Sequence, residues 1–371
     1  MVKNNFDIII IGAGVSGLIL ANEIMERTKK TVLMIERQKK ITMNNNLCFW
    51  NFPSNLLTPQ AENIWEDISI FIKGEKILLN NENFKYLMIK YKSLKDFFIK
   101  RLERKKRFKL FTNQEIKEII NTGDKISIKT NNKIFRSSLL FDSRRDIKNE
   151  PQNKLLQHFY GFEVIFNKKV MNKNEVVLMD ILDRKDVFNF VYILPFSRNR
   201  ALIELTYFSS KVLSKDDYKI ELKRYIKNKF NNLHYNIKSH EYGVIPMFKY
   251  KQPKSVNHIK IGLAGNWAKQ STGYSLQNSF LYSKQLVDCI IKDKRPKIKE
   301  RISSYFLDKI FCNFLNQNPV TTQLFFKCFF KKNSLRTLVR FLTNTANIFE
   351  IFKVIITLPK LHMIKSIFAN K

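Results

Sequence analysis

The N-terminal stretch "FDIIIIGAGVSGLILANEIMERTKKTVLMIE", Phe6 to Glu36, constrains the fold more than any other part of the chain. Phe6 to Ile11 is a continuous apolar run, as a strand buried on both faces requires. Glycines follow at Gly12, Gly14 and Gly17, and then "LILANEIMERTKK" repeats its apolar residues at helical spacing. The glycines allow a tight turn and close approach to a pyrophosphate. The new helix offers unpaired amides and the positive end of its dipole to that anion. A second strand, "TVLMIE", ends in Glu36, 19 residues after Gly17, where an acid reaches a ribose hydroxyl, and Arg37 adjoins it. A lone glycine fingerprint is weak evidence. Strand, glycines, helix, strand and acid in this order predict a Rossmann-like dinucleotide-binding α/β domain.

The motif stands at the start of one long chain with no second copy, which favours a tightly held FAD over NAD. Two later segments return to the same sheet. "LLFDSRR", Leu139 to Arg145, reads as a strand with a polar turn, in which Asp142 and Arg144 organise the surroundings of the cofactor. "IKIGLAGNWAKQSTGYSL" reads as a strand from Ile259 to Leu263 and a loop containing Gly265 and Gly273. A helix then runs from about Ser275 to Lys292. FAD enzymes of the aromatic-hydroxylase type carry Gly-Asp-Ala here, and Leu263 replaces that Asp.

Between Gly161 and Phe208 the pattern changes to short strands, "GFEVIF", "EVVLMDIL", "FNFVYIL" and "ALIELTYF", separated by polar turns. They predict an antiparallel sheet inserted between parts of the first domain. In the last strand Leu202, Glu204, Thr206 and Phe208 share one face. Glu204 thus has apolar neighbours on its own face. If that face is covered, the ionised carboxyl is disfavoured and the residue becomes a proton donor near neutral pH. If the face is open, Glu204 is an ordinary solvated strand residue. Asp180, in "LMDI", is the second acid, either catalytic or a strand-end hydrogen-bonding residue.

The chain carries 66 Lys and Arg against 32 acids, a formal charge of +34. Such a balance calls for an anionic partner, a membrane surface or a nucleic acid, unless it reflects a shared bias toward Lys, Asn, Ile and Phe. The basic residues are dispersed and no nucleic-acid module accompanies them, so nucleic acid is not expected as a partner. Cys48, Cys289, Cys312 and Cys328 form no CxxC pair and have no His at ligand spacing, which points to reduced thiols and no metal site. No signal peptide and no spanning helix are expected, hence a cytoplasmic protein with peripheral membrane contact. From Lys299 the pattern is helical, with starts at Pro319 and Ser334. Phe306, Ile310, Phe314, Phe325, Phe326, Phe329 and Phe330 recur there among lysines, either as core or as part of a membrane-resting surface.

The sequence resembles the bacterial lycopene cyclases, flavoproteins that close the ionone rings of carotenoids. The resemblance lies in "DIIIIGAGVSGLILA", "NLCFWNF", "LLFDSRR", "VVLMDI", "FVYILPFSRNRALIELTYFS", "HEYGVIPM", "IGLAGNWAKQSTGYSLQNS" and the helical tail, and it covers nearly the whole chain in order. It implies an FAD-binding domain over 1–150 and 241–297, a β-rich substrate domain over 151–240 and a helical region over 298–371. Glu204 matches the essential acid of the family's E-x-T segment. Gly12, Gly14, Gly17 and Glu36 match its FAD fingerprint. The implied reaction is a redox-neutral conversion of membrane-dissolved lycopene to β-carotene by way of γ-carotene, with reduced FAD and NAD(P)H as external reductant. A proton adds to the terminal double bond, the neighbouring alkene attacks the cation, and the new ring loses a proton. Phe49, Trp50, Tyr192 and Trp267 are the aromatic candidates for substrate lining, each with ordinary core packing as its alternative. Two departures stand out: Gly265-Asn266 replaces a usual Gly-Gly, and Arg145 replaces a small residue. The rival readings are a flavin monooxygenase or isoprenoid reductase of the same fold, and a non-catalytic carotenoid- or membrane-binding protein.

Overall fold

The computed structural model describes residues 4–40, 45–51, 56–80, 83–147, 150, 154–317 and 319–360. The first part of the chain runs β1 (Asn5–Ile11), α1 (Val15–Arg27), β2 (Val32–Ile35), β3 (Asn46–Trp50) and β4 (Asn63–Trp65). It continues with β5 (Asp67–Ile72), β6 (Glu75–Asn80), β7 (Tyr86–Lys90), α2 (Tyr91–Glu103), β8 (Phe108–Phe111), β9 (Ile116–Asn121), β10 (Ile126–Thr130) and β11 (Ile134–Asp142). The middle holds β12 (Leu156–Phe166), β13 (Glu175–Ile181), β14 (Phe188–Pro195), β15 (Arg200–Ser209), α3 (Lys215–Lys229) and β16 (Tyr235–Pro246). Then come β17 (His258–Lys260), α4 (Leu276–Ile291), α5 (Ile302–Gln317), α6 (Pro319–Lys331), α7 (Leu335–Leu342) and α8 (Ile348–Thr357).

The first sheet has the order β8-β2-β1-β11-β10-β9, with β17 also paired to β11. Its centre is parallel: β8, β2, β1, the end of β11 and β17 run the same way. Ile8 to Ile11 of β1 are buried, as the apolar run requires. One face of the sheet packs on α1, α2 and α4. On its other face Ile9, Leu33 and Leu140 pack with Ile126, Ile128 and Phe135 of the β-meander.

The second sheet has the order β16-β12-β15-β14-β13-β5-β6. All its pairings are antiparallel except β13 with β5. The four strands expected from Gly161 to Phe208 are β12 to β15. One face of the sheet is covered by α3 through Tyr218, Leu222 and Ile226. The other is covered by the C-terminal helices, where Phe325, Phe326, Phe329 and Phe330 of α6 are all buried. Burial at about 1.5–3 kcal/mol per Phe explains why this segment packs as a layer on the sheet. A small sheet of order β3-β7-β4 joins the two halves, and Trp65 Nε1 donates to Pro195 O of β14 at 2.9 Å.

The domain boundaries differ from those expected. Strands β5 and β6 lie within 1–150, yet they form the far edge of the second sheet, and β16 runs across residue 241. The parallel pairing of β5 with β13 links segments about a hundred residues apart in sequence, and no local pattern encodes it. The helical region expected over 298–371 is described as far as Lys360. Among the described residues no helix is long and apolar enough to cross a membrane.

Candidate active site

The nucleotide cradle forms where β1 passes into α1. Gly12 has φ +98°, a conformation that favours glycine, and a Cβ on Gly17 would lie 2.2 Å from Gly12 O. Gly14 starts α1 with no side chain capping its first amides, and nothing lies within 4 Å of where its Cβ would be. An uncapped helix start with open space before it fits a pyrophosphate. Glu36 closes the turn: Ala13 N–H donates to its Oε2 and Gln38 N–H to its Oε1, both at 2.9 Å. Arg37 beside it is exposed.

Asp142 ends β11 and is completely buried. Arg144 grips it with two bonds of 3.0 Å, Lys260 Nζ is at 2.9 Å and His258 Nε2 at 3.2 Å. Burial opposes its charge, but hydrogen bonds from His258 and Arg144 and the charges of Arg144 and Lys260 hold the carboxyl well below the usual range. Asp142 and Arg144 therefore lock β11 to β17 beside the cradle. Gly265 has a packing reason of its own, since a Cβ there would lie 2.4 Å from Lys260 O. Gly273 has φ +74°, and a Cβ would lie 2.8 Å from Gln157 Oε1.

Against the second sheet lies a cavity of about 450 Å³, whose walls are largely aromatic. Phe188, Phe190 and Phe208 line it from the sheet, and Phe311, Phe325 and Phe326 from α5 and α6. Ser271, Thr272 and Tyr274, from the loop that follows β17, line it as well, so the cavity reaches the first domain. Glu204 faces into it from β15 and is 8% exposed. Ala201, Ile203, Leu205 and Tyr207 alternate with it onto α3, so both faces of β15 are covered. The Thr206 hydroxyl donates to Glu204 Oε1 at 3.0 Å. Two strands away, Glu241 of β16 is also buried. Gly161 of β12 stands between them, paired with Glu204 on one side and Glu241 on the other. Asn46 donates to Glu241 through its backbone N–H at 3.1 Å and its side-chain amide at 2.8 Å.

Neither glutamate has a salt-bridge partner among the described residues. Burial, and then the charge of Glu241, push the Glu204 carboxyl well above the usual range, against the Thr206 bond. Burial pushes Glu241 up to about 7 in spite of Asn46. Two buried carboxyls without a cation can hold protons at neutral pH. Tyr192, paired with Glu204 across β14, donates its hydroxyl to Tyr86 Oη at 3.0 Å, and both line the cavity.

The chain matches the lycopene cyclase protein family over residues 7–367. It belongs to that family. No curated protein sequence matches it. Solved structures of similar fold include a geranylgeranyl bacteriochlorophyll reductase-like protein from Thermoplasma acidophilum. That match has TM-score 0.62 and 14% identity and covers 98% of this chain and 96% of that one. A flavoprotein/dehydrogenase from Cytophaga hutchinsonii has TM-score 0.66 and 12% identity, covering 98% and 99%. A variant of the halogenase PltM in complex with FAD has TM-score 0.56 and 10% identity, covering 90% and 78%. At these identities the likeness shows the fold, which is Rossmann-type and shared with flavoproteins.

Within this family member the sequence-derived candidates divide sharply. Glu204 and Tyr192 meet at the cavity. Asp180 does not: Met179 lines the cavity, and Asp180 on the opposite face accepts from Tyr225 Oη at 2.6 Å and Lys229 Nζ at 2.8 Å, both on α3. It anchors that helix. Phe49 and Trp267 belong to the core of the first domain, and Trp50 packs behind the lining against Tyr86 at 4.7 Å. Asn266 keeps the left-handed conformation that a glycine would favour, at φ +63°. Its side chain accepts from Tyr250 N and donates to Tyr250 O, at 2.7 and 3.0 Å. Sequence reading missed Thr206, Tyr86, Tyr274 and the role of Glu241. A glycine inside "GFEVIF" was the available signal for Glu241, because strand glycines mark close approach.

Proposed function

We propose that this protein is a lycopene cyclase that closes the end rings of lycopene to give β-carotene by way of γ-carotene, with Glu204 as proton donor. The observation that carries the reading is a buried acid without a cation partner, set in the wall of an aromatic cavity. A hydrocarbon offers no polar handle, so apolar walls must bind it, and a carbocation must be kept from water.

Glu204 supplies its proton to the terminal double bond. The Thr206 hydroxyl then stabilises the carboxylate left behind. The neighbouring alkene attacks the cation, and the same carboxylate takes the proton that the closed ring gives up. No net electrons move and Glu204 ends as it began. Tyr86, Tyr192 and Tyr274 line the same cavity, and Tyr192 stands opposite Glu204 in the sheet. Each aromatic face in contact with a cation contributes on the order of 0.5–2 kcal/mol. FAD would be held by Gly12, Gly14, Gly17 and Glu36, and in its reduced form, kept so by NAD(P)H, it would supply an electron-rich ring.

Lycopene dissolves in membranes, and α8 supports a peripheral contact with an anionic bilayer. Ile348, Phe349, Phe352 and Ile356 are exposed on it, Phe349 by 80%. Ile355, Leu358 and the exposed Lys360 of the same segment line the cavity. Buried apolar area and cationic flanks together drive such binding. Sedimentation with anionic vesicles at low and high salt checks this: binding that weakens with salt is expected, and none in either condition removes the membrane contact.

The test of the reaction is conversion of lycopene in liposomes by the purified protein with reduced FAD. Monocyclic and then bicyclic product is expected from the wild type. No ring product under these conditions, or a Glu204→Gln variant that cyclises at the wild-type rate, overturns the proposal.

A further inference from the structure

We propose that Glu241 keeps Glu204 in its acid form by acting across Gly161, so that the proton donor is a pair of carboxyls. The inference rests on the reading of Glu204 as that donor and adds a residue to it. Strand register carries it. Gly161 is paired with both glutamates, and residues directly opposite in antiparallel strands project on the same side of a sheet. The position between them bears no side chain. A Cβ there would lie 3.2 Å from Glu204 Cβ and 3.0 Å from Leu202 Cδ1, so any larger residue would wedge into the row.

The two partners are not equivalent. Glu241 receives two N–H bonds from Asn46, which favour its charged form. Glu204 receives one bond from a neutral hydroxyl. Charge therefore settles on Glu241 and the proton on Glu204, and a negative neighbour raises the affinity of Glu204 for that proton. Glu241 does not line the cavity, so it is a positioning residue that acts through Glu204.

Apart from the exposed Lys360, the other groups around the pair carry no net charge at working pH. From β3, β7, β14 and the loop before α4 come Cys48, Tyr86, Tyr192 and Tyr274. Burial pushes all four upward, Tyr274 to about 12. On α5, Asp308 lines the cavity but is held in a buried pair by Lys269 at 2.6 Å. Tyr218 of α3 lies behind the sheet, where His240 stacks on Tyr160. Lys360 is exposed where it lines the cavity. Glu241 is thus the one ionising neighbour among the described residues that can change the charge beside Glu204 near neutrality.

Below about pH 7 Glu241 is neutral and contributes little; above it the charge appears and holds the proton on Glu204. The experiment is the pH–rate profile of cyclisation for the wild type, Glu241→Gln, Glu241→Asp and Asn46→Ala. Glu241→Gln is expected within about twofold of wild type at about pH 6 and about tenfold lower at about pH 9, because lowering the affinity of Glu204 for its proton tenfold lowers the protonated fraction tenfold on the alkaline limb. Glu241→Asp restores most of the alkaline limb. Asn46→Ala, which leaves both carboxyls in place, moves the limb the same way by less. A Glu241→Gln profile that superimposes on the wild type, or one lowered equally at every pH, overturns the inference while Glu204→Gln remains inactive. A Glu204→Gln enzyme at full rate overturns the underlying reading instead.

Discussion

Asp142 and Glu204 are both buried carboxyls at the edge of a sheet-built site, and their neighbours give them opposite chemistry. Asp142 is surrounded by Arg144, Lys260 and His258, and is held ionised. Glu204 meets apolar walls, a threonine hydroxyl and a second glutamate, and its carboxyl is pushed well above the usual range. Burial raises the cost of charge at both, so the partner decides. An acid placed among cations serves as a fixed anchor. One placed without them serves as a proton source.

The largest effect that separates the two is on catalysis. Glu204→Gln is expected to lower cyclisation by about 10²–10⁴-fold, the range for a lost general acid, with no loss of fold. Product formation together with thermal unfolding checks this. Asp142→Asn should do the reverse. It leaves cations facing an uncharged amide and is expected to cost about 3 kcal/mol in urea unfolding, with turnover per folded molecule preserved.

The pH dependence of stability sharpens the same contrast. Asp142 has a depressed value when folded. Its contribution is therefore present above the unfolded value near 3.8 and disappears as pH falls through the folded one. Glu204 has a raised value, so the folded state binds more protons above the unfolded value near 4.5, and stability falls as pH rises there. Urea unfolding across pH should accordingly show Asp142→Asn losing acid sensitivity and Glu204→Gln losing alkaline sensitivity.

Asp180 is the intermediate case. It bonds one tyrosine and one partly exposed lysine on α3, so Asp180→Asn is expected to cost about 1 kcal/mol and leave the rate unchanged. A large loss of rate without loss of stability would place it in the chemistry after all.

Much of the first domain, and the starts of two C-terminal helices, were legible because their signals are local. The apolar run of β1, the glycines, Glu36 and the starts of α6 and α7 at Pro319 and Ser334 each reside in a few adjacent residues. So does the alternation that put Glu204 on one face with Leu202 and Phe208. The rest depends on what lies opposite. Alternation places Met179 and Asp180 on opposite faces but does not say which face meets the cavity and which meets α3. The pairing of β5 with β13, and of both β15 and β16 with β12, brings distant segments together by register alone. For that reason Glu241 carried no chemistry in the sequence, and Phe49 and Trp267 stood as lining candidates with core packing as the alternative, which is where they lie.

The protonation state of Glu204 can be measured without turnover. Isotope-edited infrared spectra of the wild type, with labelled glutamate, are compared at neutral pH with those of Glu204→Gln. A protonated-carboxyl carbonyl band that is present in the wild type and missing in the variant is expected. Spectra in which the only Glu204 signal at neutral pH is that of a carboxylate would contradict its assignment as the proton donor.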